Sequence, residues 1–398
     1  MTTGVISVRA INLYLHLHQP YRFVKYSFFD IGRGTSYFGE GDREIFLKVA
    51  EKSYRPMLDI LEKCLNKYSE FRFSLSITGT WLDQAFEFAP ELVEQLKRMV
   101  ETKRVEIVGE TYYHSLAFFM DRDEFETQVK MHRDKIKEVF GITPKVFRNT
   151  ELAYNNDLAE WADKAGYKGI LAEGWDKILG WRSPNHVYRP EGCEKIKLLM
   201  KNYRLSDDVA FRFSDRKWKE WPLTVEKYQH WVNMDCLRGP VVNLFMDFET
   251  FGEHQWGETG IFKFFEHFVY SWLSAYENKF MTCTEVCDSL DVQDTISMPE
   301  IVTWADTERD LSAWRGNAMQ EEAMMTVYKM KNEILATKDK ALISDWRKMT
   351  TSDHAYYMCT KYWNDGDVHA YFSVYDSPFD AFMYYMNVMR DLKYRAER

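Results

Sequence analysis

Over the first 250 positions, short apolar runs alternate with longer amphipathic stretches, a pattern that predicts parallel strands joined by crossover helices. The runs cover 11–18, 71–80, 105–113, 146–151, 166–173, 196–205 and 241–249. They predict seven strands. Between them, apolar residues recur with helical period over 44–68, 90–102 and 123–140, the last opening on Asp123 as a capping residue and closing at Gly141 ahead of Pro144. Beyond Glu249 the chain turns aromatic-rich and helical over 262–277, 311–336 and 376–395, and no further strand is predicted. The pattern predicts an α/β fold, a barrel or a doubly wound sheet over 1–300, with an α-helical domain over 301–398 packed on it because no Gly/Ser-rich linker separates the two.

Composition narrows the function. With 52 Lys+Arg against 61 Asp+Glu, a formal net charge of −9 disfavours nucleic acid and anionic membranes as partners. No apolar run reaches the length of a membrane span, and the first ten residues lack the features of a secretory signal. Six scattered cysteines read as reduced thiols of a cytoplasmic protein. Aromatic residues make up 16% of the chain, and sugars stack their C–H faces on such rings, so the composition leans toward a carbohydrate ligand.

Candidate chemistry falls at the carboxyl ends of the predicted strands, where parallel α/β folds build their sites. The first ends in His16-Leu17-His18-Gln19-Pro20, whose i, i+2 spacing turns both imidazoles to one side. The third ends Glu110-Thr111-Tyr112-Tyr113-His114, and the fifth runs out at Glu173-Gly174-Trp175. The fourth yields Phe147-Arg148-Asn149-Thr150-Glu151, where Glu151 is either a working carboxylate or a helix cap. The seventh leads into Asp247-Phe248-Glu249-Thr250-Phe251-Gly252-Glu253-His254-Gln255-Trp256. Asp247 and Glu249 are expected to share a strand face, and two carboxyls so close raise one pKa and retain a proton for general acid work. No phosphate loop, dinucleotide fingerprint or serine nucleophile elbow is present.

In order along the chain, His16 to Pro20, Thr111 to Ser115, Phe147 to Tyr154, Asp247 to Gln255 and Trp304 to Asn317 resemble the five sequence regions of glycoside hydrolase family 57, nearest its amylase-type branch. The resemblance implies an incomplete seven-stranded parallel (β/α)7 barrel followed by helices. It also implies action on α-linked glucans or maltooligosaccharides with retention of configuration, and no cofactor or obligatory metal. By motif, Glu151 would be the nucleophile, helped into its ionised state by Arg148, and Asp247 the general acid/base. His16, His18, His114, Glu249, His254 and Asp310 would contact sugar hydroxyls, and Trp175, Trp256 and Trp314 would be stacking platforms.

Hydrolysis and 4-α-glucan transfer both stay open, since His114 stands where other branches of the family place a different polar residue. Two readings from other classes are a zinc-dependent hydrolase or deacetylase with His16, His18 and Asp247 or His254 as ligands, and a non-catalytic glucan-binding protein.

Overall fold

A computed structural model describes residues 9–361 and 373–398. Eight strands organise the part that carries the site: β1 (Arg9–Leu17), β2 (Phe73–Ile77), β3 (Val105–Ile107), β4 (Val146–Phe147), β5 (Gly169–Glu173), β6 (Val187–Pro190), β7 (Lys197–Lys201) and β8 (Val241–Asp247). One sheet holds β8, β1, β2 and β3 in parallel, and a second holds β4, β5 and β7 in parallel. The two meet at a Gly109–Phe147 bridge on one side, and on the other Asn202 N donates to Asn243 O at 2.9 Å. Seven parallel strands therefore follow one another around a ring, the α/β arrangement expected from the apolar runs.

Alternation in β1 explains both its layers. Ile11, Leu13, Leu15 and Leu17 face outward into an apolar cluster with Met57, Leu61 and Trp81. The intervening residues face inward, where Asn12 Nδ2 donates to Asn243 Oδ1 at 3.0 Å and Tyr14 bonds Ser76. The last inward residue of the strand is His16. Crossover helices run over Gly41–Val49, Arg55–Lys67, Pro90–Glu101 and Arg122–Phe140. The first two join through a wider turn at Ala50–Tyr54, so the 44–68 stretch is one interrupted helix.

Several elements differ from expectation. The cap of the 122–140 helix is Asp121 rather than Asp123, and Gly141 ends it with a left-handed φ of 71°. The predicted 196–205 strand stops at Lys201, because Asn202 caps a helix from Tyr203. Strands do occur after Glu249, at Asn278–Phe280 and Val292–Ile296, and β6 lies antiparallel to β7. The first of these has three residues and the second is mostly exposed and polar, so neither shows a periodic apolar run. After residue 300, helices cover Ala318–Lys329, Lys331–Ala336, Lys340–Met349 and Pro378–Ala396. They share an apolar cluster with Phe125, Phe147, Leu158 and Ile170, which seats them on the β4–β5 side of the ring. Among the described residues, no helix is long and apolar enough to cross a membrane.

Candidate active site

The β1–β8 register sets His16 directly opposite Asp247. His16 Nδ1 lies 3.3 Å from Asp247 Oδ1, and its Nε2 lies 3.3 Å from both Glu110 Oε2 and Arg148 Nη1. Glu110 and Arg148 follow the ends of β3 and β4, and both are fully buried. The rings of His16, His18 and His114 stack against one another, with centroids 4.0 Å apart for His18 and His114 and 5.0 Å for His16 and His114. Burial opposes the charge on Glu110, yet His16, His114 and Arg148 hold its carboxyl well below the usual range.

Glu151 occupies a tight turn with φ 57°, and Leu152 follows at φ 50°. Left-handed backbone at such residues costs on the order of 1–3 kcal/mol each and persists where the surroundings enforce it. Here the enforcement is visible at both ends of the residue. Trp304 N donates to Glu151 O at 3.2 Å, while the carboxylate takes the Trp304 indole N–H at 2.8 Å on Oε2 and meets His114 Nε2 at 2.7 Å on Oε1. Burial pushes the Glu151 carboxyl up, but the His114 hydrogen bond and charge, followed by Arg148, outweigh it and keep the group ionised. Burial likewise opposes the charge on His114, yet the Glu110 and Glu151 carboxylates push it up to about 9. The Trp304 ring sits between two cations, Arg148 and Lys201, each 5.2 Å from its centre.

The acidic pair departs from its expected geometry. β8 ends at Asp247, and Phe248–Thr250 forms a single 3-10 turn, so Glu249 does not share a strand face with Asp247. The raised pKa expected of one member falls on Glu249. Burial and then the Asp247 charge push it up to about 8, while Tyr54 Oη donates to its Oε1 at 2.7 Å. Asp247 moves the other way: burial acts to raise it, but the His16 hydrogen bond and charge, with His254 and Arg148, leave it lowered. Of the two, it is Asp247 whose charge acts on both Glu151 and Arg148.

The remaining candidates divide. His18 Nε2 meets Asp353 Oδ2 and its Nδ1 meets Thr78 Oγ1, both at 3.0 Å; burial and the His114 charge lower its pKa to about 4. His254 N donates to Glu249 O at 2.9 Å, beside the acidic pair. Trp256 is 56% exposed, with a face open to stacking. Trp175 is half-buried with Lys177 Nζ 5.0 Å over its ring, and no hydrogen bond places it in the histidine–carboxylate group among the described residues. One assignment needs correction. Trp314 is only 1% exposed and packs among Leu116, Ala153 and Met324, so neighbouring side chains cover the faces a sugar would need. Asp310 is exposed and does not cap the short helix that follows, though it accepts from Ser312 N at 2.8 Å. Nor is Glu151 a helix cap: Asn155 caps the helix Asn156–Lys164.

Sequence reasoning passed over Trp304, Asp353 and Tyr54, and gave Glu110 no role. Glu110 left a local signal, as a carboxylate closing an apolar run, and Trp304 opens the fifth family-like region, but Asp353 and Tyr54 left none. Among the described residues, two triplets bring ligand atoms within 4.8 Å of one another: His16, Glu110 and His114, and His18, His114 and Asp353. Neither is the His16–His18–Asp247 or His16–His18–His254 set of the zinc reading. In the first, the Arg148 guanidinium stands 3.6 Å from Glu110 Oε2 and opposes a second cation. In the second, both ring nitrogens of His18 and Nε2 of His114 already have hydrogen-bond partners.

Similarity to known proteins identifies the family of the chain. A relative from Methanocaldococcus jannaschii that carries the provisional name α-amylase is 40% identical over 402 residues, covering 96% of this chain and 84% of its own. In fold, the chain is similar to a family 57 branching enzyme from Thermococcus kodakaraensis, with a TM-score of 0.67 at 14% identity over 88% of this chain and 86% of that one. It is also similar to a 4-α-glucanotransferase from Thermococcus litoralis, with a TM-score of 0.65 at 17% identity, covering 88% of this chain but only 56% of the transferase. The sequence profile of glycosyl hydrolase family 57 matches residues 12–299, a span that runs from within β1 past β8 and includes Glu151 and Asp247, and the chain belongs to that family.

Proposed function

We propose that this chain is a retaining, α-amylase-like glycosidase of α-1,4-linked glucans, with Glu151 as nucleophile and Asp247 as general acid/base. The observation that carries the reading is the Glu151 carboxylate, held ionised and aimed by two N–H groups, from His114 and Trp304, on a turn that its neighbours enforce. Glu151 attacks the anomeric carbon as Asp247 gives its proton to the departing glycosidic oxygen; water, deprotonated by Asp247, then releases the glycosyl-enzyme. In the resting site Asp247 is held ionised while Glu249 keeps its proton below about pH 8, so the proton that Asp247 delivers is supplied to it by Glu249. His16, His18 and His254 line the sugar, and Trp256 offers a stacking face.

Digestion of maltoheptaose tests the proposal. The expected products are only shorter oligosaccharides, with reducing ends first formed as the α anomer by proton NMR. Products longer than the substrate would replace hydrolysis with glucan transfer, and β reducing ends would remove the covalent intermediate. Binding of the substrate without cleavage would leave a glucan-binding protein.

The acidic pair carries its own pH signature. Glu249 holds its proton below about pH 8 and loses it above, so kcat/KM is expected to fall as pH rises through that value. In Glu249→Gln no such titration exists, and the fall near pH 8 should vanish. An unchanged high-pH limb in that variant would take Glu249 out of the proton inventory.

A further inference from the structure

We propose that Glu110 is a positioning residue that couples the two catalytic carboxyls, fixing His114 against Glu151 on one side and His16 against Asp247 on the other. The inference rests on the roles proposed for Glu151 and Asp247, and its geometry is a continuous chain. From Asp247 Oδ1 it is 3.3 Å to His16 Nδ1, and from His16 Nε2 it is 3.3 Å to Glu110 Oε2. From that oxygen it is 3.8 Å to His114 Nδ1, and His114 Nε2 then lies 2.7 Å from Glu151 Oε1. Glu110 touches neither catalytic carboxyl in this chain, which is why it positions rather than reacts.

The chemistry of the ring nitrogens explains what the coupling does. His16 Nε2 faces an acceptor, Glu110, and a donor, Arg148, at the same 3.3 Å. As an imidazolium the ring donates to Glu110; as a neutral ring protonated on Nδ1 it accepts from Arg148. Either way the Nδ1 proton points at Asp247. On the other side, a carboxylate facing His114 Nδ1 favours a proton there, and the ring still presents Nε2–H to Glu151. Glu110 is itself anchored from outside the site. Its backbone N–H faces His132 Nδ1 at 3.4 Å, and His132 Nε2 lies 2.8 Å from Ile77 O, an arrangement in which the neutral His132 ring donates to that carbonyl and accepts from Glu110. Two buried atoms at the centre of the chain, Glu110 Oε1 and His114 Nδ1, have no hydrogen-bond partner within normal distance. Contacts of this kind shorten when a substrate closes the site.

Steady-state kinetics of Glu110→Gln on maltoheptaose provide the test, beside Glu110→Asp. Loss of a hydrogen bond to a charged group predicts a kcat about 10–100-fold lower with KM within about 3-fold of the parent. Without the Glu110 charge, His114 releases its proton at lower pH, so a second fall in kcat/KM, near pH 9 in the parent and beyond the one that Glu249 sets near pH 8, is expected to move down. Glu110→Asp keeps the charge and should retain more kcat than Glu110→Gln. Should Glu110→Gln not fold, as judged by circular dichroism, Glu110→Asp decides alone: its shorter carboxylate should lower kcat and spare KM. A parental kcat in whichever variant folds overturns the coupling. So does a raised KM at unchanged kcat, which would make Glu110 a substrate contact, and so does stoichiometric zinc in the parent enzyme that is missing from the variant. The underlying roles are tested separately by adding azide to Glu151→Ala. A glycosyl azide product supports the nucleophile whatever Glu110 does, and its absence refutes the nucleophile while leaving the Glu110 kinetics as measured.

Discussion

Glu151→Ala is expected to lose turnover on every glucoside, by more than about 10⁴-fold, whereas Asp247→Ala is expected to lose it selectively. The difference follows from what each group supplies. Without the nucleophile no glycosyl-enzyme forms, however good the leaving group. Without the acid, the cost falls on the protonation of the departing oxygen, a contribution of about 10²–10⁴ that an activated aryl glucoside scarcely needs. Asp247→Ala should therefore recover much of its first-step rate on such a substrate, seen as a burst of released phenol followed by slow deglycosylation. Both variants should keep the parental circular dichroism spectrum, since the Asp247 side chain is 40% exposed and the Glu151 turn keeps its backbone bond from Trp304 N when the carboxylate is removed. Equal losses on natural and activated substrates would mean that Asp247 does not protonate the leaving group. A Glu249→Ala variant showing the leaving-group dependence instead would transfer the role two residues along.

The second large effect is expected on stability. Arg148 is completely buried, within 3.6 Å of Glu110 Oε2 and 5.2 Å from the centre of the Trp304 ring. Arg148→Met deletes one member of a buried ionic group and leaves its carboxylate partner in place, a change that typically costs about 3–5 kcal/mol. Urea denaturation at neutral pH should show a loss of this size. The sign of its pH dependence is fixed. In the parent, Glu110 is held well below the usual carboxyl range, with Arg148 among the causes, and losing that cation raises its pKa in the folded state. Protonation then relieves the isolated charge, so the penalty should shrink as pH falls toward the carboxyl range. A penalty that stays constant with pH would mean that Arg148 stabilises through packing alone. Arg148→Lys is not expected to restore the parent, because an ammonium lacks the planar fork that reaches His16, Glu110 and Trp304 together.

Much of the fold was legible because β1 and β8 are buried on both faces and read as unbroken apolar runs. Of the apolar run expected at 146–151, only Val146 and Phe147 form β4, because Thr150–Leu152 already turns. The same logic held for the site. His16, Glu151 and Asp247 stand at strand ends, where local pattern and position agree. Asp353 gives no such signal: it reaches His18 because Ser115 pairs with Thr351, a contact between segments more than 200 residues apart. Trp314 shows the opposite failure. It lies in an aromatic segment that looked like a platform, yet its ring fills an apolar cluster. The composition of such a segment reads the same whether its rings face a ligand or the core.

Two groups that complete the candidate site arrive late in synthesis. Trp304 supplies one of the two N–H groups on Glu151, and Asp353 supplies the carboxylate beside His18. A ribosome that has completed the strands of the ring has not yet made either residue. The emerging chain would carry its nucleophile without the indole that orients it, and with a histidine lacking its acidic partner. The candidate site is thus completed only after residues 304 and 353 have joined the strands of the ring.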